Sequence, residues 1–239
     1  MRLEILPERT GGAAENMAAD FMLLQRYPRP AAARYRHYGW RSQAFTFGYS
    51  QKIAFIRSQL PEGVAADLCR RPTGGGLVDH RDDWTYALVI PRGHPLEEVR
   101  ATQSYRVVHD ALAASLREVG VPVTLKPTAE PREDTEPAGP AGVCFERAEI
   151  FDVVHTVTGA KIAGAAQKRN KRGLLFQGSI WRPAAGEALD WERFGSDFEQ
   201  RLAQVLSAEA AAVPWPDFNE EEMEGLVEQY GSPEWMEFR

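Results

Sequence analysis

Three consecutive glycines, Gly74-Gly75-Gly76, stand directly behind Arg70-Arg71-Pro72-Thr73 and ahead of Leu77-Val78-Asp79-His80. No helix or central strand runs comfortably through such a stretch, because glycines give up the most backbone entropy on folding. They persist where a turn needs positive φ or where another molecule comes close to the backbone. A tight turn and a ligand loop are both compatible with the tripeptide.

The segments around this break carry short, mixed periodicities. Arg2 to Leu6 alternate as a strand does, and Met17, Phe21 and Leu24 fall on one face of a helix from Ala14 to Arg26. Phe45, Phe47 and Tyr49 alternate again, and Trp84 to Ile90, ended by Pro91, is an apolar run of strand length. Pro95 opens a long helix whose buried stripe is Tyr105, Val108, Leu112, Leu116 and Val119, and Gly120 stops it. A strand follows from Val121 to Leu125, and then Thr128 to Gly142, rich in Pro, Glu, Ala and Gly, is expected to form a long mobile loop.

Ile150 to Val157 and Ala160 to Ala165 flank Thr158-Gly159 and read as a β-hairpin. With a two-residue loop, Val157 would face Ala160 and Thr156 would face Lys161. A third strand covers Leu174 to Trp181, and two helices are expected around Asp190 to Ala210 and Asn219 to Tyr230. Hairpins and a few helices without βαβ alternation predict an α+β fold with mixed, largely antiparallel sheets flanked by helices. A single catalytic domain over 1–239, with C-terminal helices at about 187–239, fits the length.

Composition narrows the partners. Of 239 residues 44% are hydrophobic, enough for a large core, and the net charge of −6 argues against general nucleic-acid binding. Neither a signal-peptide core nor an apolar run of membrane-spanning length is present, so a cytoplasmic protein without membrane association is expected. Cys69 and Cys144 form no CxxC pair, so neither a disulfide framework nor a metal site is expected. Each is either a packed thiol or a reactive one.

The glycine run fails the dinucleotide fingerprint, and Gly159 to Gly164 is followed by Ala165-Ala166 where a phosphate-binding loop needs Lys and Ser or Thr. What remains beside Arg70 and Arg71 is a group of backbone N–H donors suited to an anion or a polarised carbonyl. Cys144, at the junction of the Pro-rich loop and the hairpin, is placed where a thiolate could react. Lys161 lies in Gly159-Ala160-Lys161-Ile162-Ala163-Gly164-Ala165-Ala166-Gln167, among residues too small to cover it. It reads either as a solvated hairpin charge or as an ammonium over a floor on which something extended lies. The basic run Lys168-Arg169-Asn170-Lys171-Arg172 is either a solvated turn or a docking surface for an acidic partner.

Together, Arg70 to His80 and Gly159 to Gln167 resemble the two signature segments of the lipoate-protein ligase and octanoyltransferase family, which is related to biotin-protein ligases. Asn16-Met17-Ala18-Ala19-Asp20, Trp40, Phe47-Gly48-Tyr49-Ser50-Gln51 and Gln177-Gly178-Ser179 are similar to that family as well. The resemblance implies the biotin/lipoate ligase (class II synthetase-like) catalytic fold. It also implies an acyl pocket lined by Arg71, Thr73, Gly74, Gly75, Gly76, Leu77, Val78, Asp79, His80, Gly164 and Ala165, with Lys161 on the acyl carbonyl.

The family divides into two chemistries. Val143-Cys144-Phe145-Glu146 ahead of Phe151-Asp152-Val153 resembles the cysteine-dependent octanoyltransferases, so the resemblance implies that Cys144 carries an octanoyl thioester and that Lys161 activates it. The sequence also ends without the extra domain that many ligases carry. The implied donor is octanoyl-acyl carrier protein. The implied acceptors are lipoyl domains of 2-oxoacid dehydrogenases or the glycine cleavage H protein, and no cofactor is needed. The alternatives are a lipoate-protein ligase using ATP and Mg, and an amidotransferase between lipoyl domains. Gln177 departs from the pattern, standing where many relatives have histidine.

Overall fold

The computed structural model describes residues 1–128, 148–186 and 188–238. Its strands are β1 (Arg2–Ile5), β2 (Arg9–Gly11), β3 (Ala33–Trp40), β4 (Ala44–Phe47), β5 (Asp67–Arg70), β6 (Val78–Asp79), β7 (Asp83–Pro91), β8 (Val123–Leu125), β9 (Val153–His155), β10 (Lys161–Asn170), β11 (Gly173–Trp181) and β12 (Glu209–Ala212). The helices are α1 (Ala13–Gln25), α2 (Ile53–Gln59), α3 (Pro95–Glu98), α4 (Ala101–Glu118), α5 (Arg182–Ala185), α6 (Trp191–Val205), α7 (Glu220–Gly231) and α8 (Pro233–Glu237).

The large sheet runs β12-β1-β3-β7-β11-β10-β9-β8, with β2 joined to β3. From β3 to β8 every pairing is antiparallel, while β12, β1, β2 and β3 pair in parallel. A second, small sheet has the order β5-β4-β6. The expected α+β class with mixed, largely antiparallel sheets is what the chain adopts.

From Tyr86 to Ile90, strand β7 is apolar without interruption because both of its faces are covered. Trp84, Tyr86, Leu88 and Ile90 point toward α4 and α6, packing on Val108, Leu112, Leu116, Phe194 and Phe198. The intervening Ala87 and Val89 pack with Leu23, Leu24 and Tyr27 of α1 and the turn after it. A strand covered on both faces loses the alternation that an open sheet shows. The small sheet packs its own core, Phe45, Phe47, Ile53, Ile56 and Leu77. The space between the two sheets is where the site lies.

Three expectations change. The helix from Pro95 is broken, because Val99 and Arg100 are extended, and the Val99 carbonyl accepts from Arg169 Nη2 at 2.8 Å. The helix expected through Ala210 ends at Val205; Ser207 turns left-handed (φ 49), and the alanines of β12 pair in parallel with β1. Edge pairing outweighs the helix propensity of alanine there. The hairpin loop is wider than two residues: His155 N–H donates to the Ala160 carbonyl, and Lys161 sits opposite Val154 rather than Thr156. His155 Nδ1 accepts from the Val157 and Thr158 N–H groups, which holds that wider loop. Residues 129–142 of the expected mobile loop, and Cys144, lie outside the described residues.

The glycine loop closes on the small sheet at Gly48, where a Cβ would lie 1.9 Å from the Gly75 carbonyl oxygen. Gly48→Ala is therefore expected to destabilise the fold by roughly 1–3 kcal/mol or more, as at an overpacked site, seen as a drop of several degrees in Tm.

Candidate active site

A cavity with about 470 Å³ of empty space, counted to its open mouth, lies between the sheets. From the large sheet come Tyr38 and Trp40 (β3), Thr85 (β7), Gln177, Gly178 and Ser179 (β11), and Lys161, Gly164, Ala165 and Ala166 (β10). The small sheet and its glycine loop supply Thr46, Arg71, Gly75, Val78 and His80, and Met17 of α1 closes it.

Lys161 is buried at this cavity. Its Nζ lies 2.7 Å from Asp152 Oδ2, with side-chain exposures of 5% and 1%, so this is a buried ion pair rather than a solvated hairpin charge. The same carboxylate accepts from the Glu149 N–H at 2.7 Å and from the Tyr105 hydroxyl, which itself accepts from the Ala165 N–H at 3.0 Å. Burial, reinforced by Asp152, holds the Tyr105 phenol well above its ordinary range, so it remains a donor. These extra bonds are what a buried charge pair needs to persist.

Asp152 is aimed by an unusual backbone. Phe151 has φ 67, a left-handed conformation rarely adopted outside glycine, and it is fixed from both sides. Its N–H donates to the Lys126 carbonyl at 2.9 Å, and its own carbonyl accepts from His109 Nδ1 at 2.8 Å. His109 is buried against the Tyr105 ring, 4.0 Å between centroids, and burial pushes its pKa down to about 4. It is a neutral imidazole carrying its proton on Nδ1.

The floor beneath the lysine is backbone. A Cβ at Gly164 would lie 2.9 Å from Lys161 Cε and 3.0 Å from its Nζ, so only glycine lets the side chain lie flat there. Gly164 pairs with Ser179, Ala165 with Gly178 and Ala166 with Gln177, which extends a shallow, small-residue track along β10 and β11. A Cβ at Gly178 would strike the Tyr86 ring at 2.2 Å.

Both arginines of the opening motif point into the protein. Arg70 donates to the carbonyls of Tyr49, Gln51, Trp235 and Met236, tying the loop to α8. Arg71 donates to Thr46 and to the Gly74 and Gly76 carbonyls, at 2.8 to 2.9 Å, curling the glycines around its own guanidinium. Gly75 supplies the positive φ of that curl (φ 89). Thr73 donates to Gln177 Oε1 at 2.7 Å, and Gln177 Nε2 donates to Asp20 at 2.7 Å, so Gln177 links the loop to α1.

His80 is held through both ring nitrogens. Thr46 Oγ1 accepts from Arg71 and lies 2.7 Å from His80 Nε2. Nδ1 donates to Asp83 at 2.7 Å, and the ring stacks on Trp40 at 4.0 Å. His80 is a fixed wall of the cavity.

Of the residues expected around the acyl group, Arg71, Gly75, Val78, His80, Lys161, Gly164 and Ala165 line the cavity. Thr73, Gly74, Gly76, Leu77 and Asp79 are not among its lining residues: Thr73, Gly74 and Gly76 bond to Gln177 and Arg71, Leu77 packs in the small-sheet core, and Asp79 pairs with Arg81. Cys144 lies outside the described residues. Cys69 is a packed thiol, 1% exposed, whose pKa burial pushes up. Among the described residues no group of three His, Cys, Asp or Glu could hold a metal ion.

Sequence reasoning assigned no role to Asp152 or Tyr105. Tyr105 falls in the apolar stripe of its helix, and helical spacing cannot show that one hydroxyl of such a stripe meets a carboxylate 47 residues away. Thr85 and Ser179, facing each other across β7 and β11, carried no signal beyond their place in a strand.

This site is set in a known framework. The fold matches that of a T. acidophilum protein solved with bound lipoic acid (TM-score 0.73, 18% identity, all of both chains). It also matches a lipoate-protein ligase A bound with ATP (TM-score 0.68, 17% identity, 98% and 97% of the chains). It is a lipoate-ligase fold. Residues 12–190 match the lipoyl protein ligase A/B catalytic domain, and the chain belongs to that family. The octanoyltransferase LipM of Kyrpidia tusciae is 30% identical over 234 residues, spanning 93% of this chain and 85% of that one. That of Halalkalibacterium halodurans is 31% identical over 172 residues, 70% of this chain, and the match spans 61% of that relative's length.

Two expectations follow. Asp152→Asn removes the carboxylate charge that meets Lys161 Nζ at 2.7 Å; breaking a buried pair costs roughly 3–5 kcal/mol, so Tm falls and acyl transfer drops by at least about a hundredfold. His109 is neutral when folded, so between its unfolded value near 6.5 and its folded value of about 4 the unfolded chain binds the extra proton. Its stabilising contribution is complete above that window and lost as the pH falls through it, by up to roughly 3 kcal/mol. His109→Asn, whose amide nitrogen falls where Nδ1 stands and can still donate to the Phe151 carbonyl, should flatten that part of the pH–Tm curve relative to the unaltered protein.

Proposed function

We propose that the chain moves an octanoyl group from acyl carrier protein, through a thioester on Cys144, to a lysine of a lipoyl domain. The observation that carries this reading is the Lys161–Asp152 pair, an ammonium fixed at a cavity whose floor is made of Gly164, Ala165, Ala166 and Gly178. An aliphatic chain lies along such a floor with no side chain in its way, and its carbonyl then meets a cation held in a dry site. The LipM relatives support octanoyl as the acyl group.

The Cys144 thiolate adds to the carbonyl carbon of the donor thioester, and negative charge develops on the carbonyl oxygen. Lys161 stabilises that oxyanion, and the bond to the carrier's sulfur breaks, releasing the carrier as a thiolate that takes up a proton from solvent. The acceptor lysine, as a neutral amine, then attacks the Cys144 thioester. The amide forms, the amine gives up a proton to solvent, and Cys144 leaves as the thiolate. One thioester is exchanged for another and then converted to a more stable amide, so the sequence draws on no nucleotide and no metal.

Rigid walls suit this task. The loop is held by Arg70, Arg71 and Thr73, and His80 is held by Thr46 and Asp83, so the cavity keeps its shape as donor and acceptor alternate.

Incubation with octanoyl-acyl carrier protein in the absence of ATP is expected to raise the protein's intact mass by one octanoyl group, and adding a lipoyl domain should discharge it. Cys144→Ser should abolish the adduct and lower transfer by at least about a hundredfold. Transfer that requires ATP, or lipoate-dependent exchange of pyrophosphate into ATP, would instead establish a ligase.

A further inference from the structure

The acyl site leaves the basic run at the tip of the β10–β11 hairpin unused. Lys168, Arg169, Lys171 and Arg172 gather there with Arg92, whose Nη1 donates to the Lys171 carbonyl, and with Arg100, next to the Val99 carbonyl that Arg169 engages. Of these six, all but Lys168 are exposed; the nearby carboxylates are Glu97, 3.6 Å from Arg169, and the exposed Glu98. This is a local excess of positive charge on a chain whose net charge is −6.

The tip is built to hold its shape. Gly173 takes φ 144, and a Cβ there would lie 2.3 Å from the Ile90 carbonyl oxygen, so the turn packs tightly on β7. The Arg172 N–H donates to Asn170 Oδ1 at 2.8 Å, and the Arg92 N–H to the Arg172 carbonyl at 3.3 Å. Fixed charges lose less entropy on docking than charges on a loose loop. The tip also joins the site: Lys168 Nζ donates to the Pro72 carbonyl at 3.3 Å, on the rim of the glycine loop, and lies over the Tyr49 ring.

We infer that this hairpin tip is the docking surface for the acyl donor, an acidic carrier protein bearing the octanoyl group on a phosphopantetheine arm. The inference rests on the octanoyltransferase reading above. Two arguments choose the donor over the acceptor. From Lys161 to Lys168 is seven residues of strand, roughly 22–24 Å; an extended phosphopantetheine arm, at roughly 18–20 Å from sulfur to phosphorus by the rise of an extended chain, covers all but a few ångströms of that distance, which the long cationic side chains of the tip bridge by reaching back. Its phosphate would then come to the cations while its thioester reaches the lysine. The acceptor, by contrast, presents a lysine, and a cationic rim repels the ammonium that must enter.

The test is a titration of fluorescently labelled octanoyl-acyl carrier protein, and separately of a labelled lipoyl domain, with the unaltered protein and with Lys171→Glu combined with Arg172→Glu. These two side chains are exposed and lie outside the cavity. The expected result is carrier binding weakened about tenfold or more in the double variant, and weakened by salt in the unaltered protein. Lipoyl-domain binding, and acylation by octanoyl-N-acetylcysteamine, which has no carrier protein or phosphate, should be unchanged. Equal carrier affinity in both proteins overturns the proposal, and so does a loss confined to the lipoyl domain, which would place the acceptor on the tip. Loss of acylation by the carrier-free thioester would mean that the variant damages the site, and single substitutions of Arg92→Glu and Lys171→Glu then decide by the same binding criterion. If the unaltered protein binds the carrier but is never acylated by it, the octanoyltransferase reading fails while the docking result still stands.

Discussion

An ammonium removed from water is tolerable only with a counter-charge and a full set of hydrogen bonds around that charge. Lys161 has this in Asp152, and much of the surrounding architecture serves to hold Asp152 still. Its position depends on a left-handed Phe151, which the Lys126 carbonyl and the neutral His109 pin from opposite sides. Tyr105 bonds the second carboxylate oxygen and ties it to the backbone of β10. The result is a fixed positive charge in a dry place, oriented before any substrate arrives, which is the form of electrostatic assistance that costs no reorganisation during reaction.

Around that charge, the cavity is shaped by side chains that are missing. Gly164 lets the lysine lie flat, Gly178 makes room for Tyr86 beneath the sheet, and Gly48 lets the Gly75 carbonyl approach the small sheet. The glycine loop at 74–76 is thus both of the things its sequence allowed. It is a turn, with Gly75 in positive φ curled around Arg71, and it forms one wall of the cavity. The arginines before it do not wait for an anion; they anchor the loop from inside.

Gln177 shows how one amide can fix two elements. Its oxygen accepts from Thr73 and its nitrogen donates to Asp20, whose other oxygen accepts from Arg36 at 2.7 Å. Burial pushes the Asp20 carboxyl up while Arg36 and Gln177 pull it down. An amide, being both donor and acceptor, suits a position between a hydroxyl and a carboxylate. The departure from histidine at this position therefore keeps the connection between loop and helix intact.

Apolar periodicity made the α+β class, the strands β7 and β11 and helix α1 legible in the sequence, because burial imposes a repeat on neighbouring residues. Residue types too small to cover their surroundings, at 74–76 and 159–166, made the two walls of the site legible for the same local reason. The width of the turn at 156–160, the strand at 209–212 and the break at Val99 and Arg100 were not, since each is settled by a partner distant in sequence: Ala160 for His155, Met1 for Glu209, Arg169 for Val99. Most of all, the sequence by itself determined that Lys161 stands among small residues, but not whether water would cover it. Only the tertiary structure decided that, by bringing Asp152 and Tyr105 to it from another strand end and another helix, because the energy of a buried charge depends on what surrounds it in space and not on its neighbours in the chain.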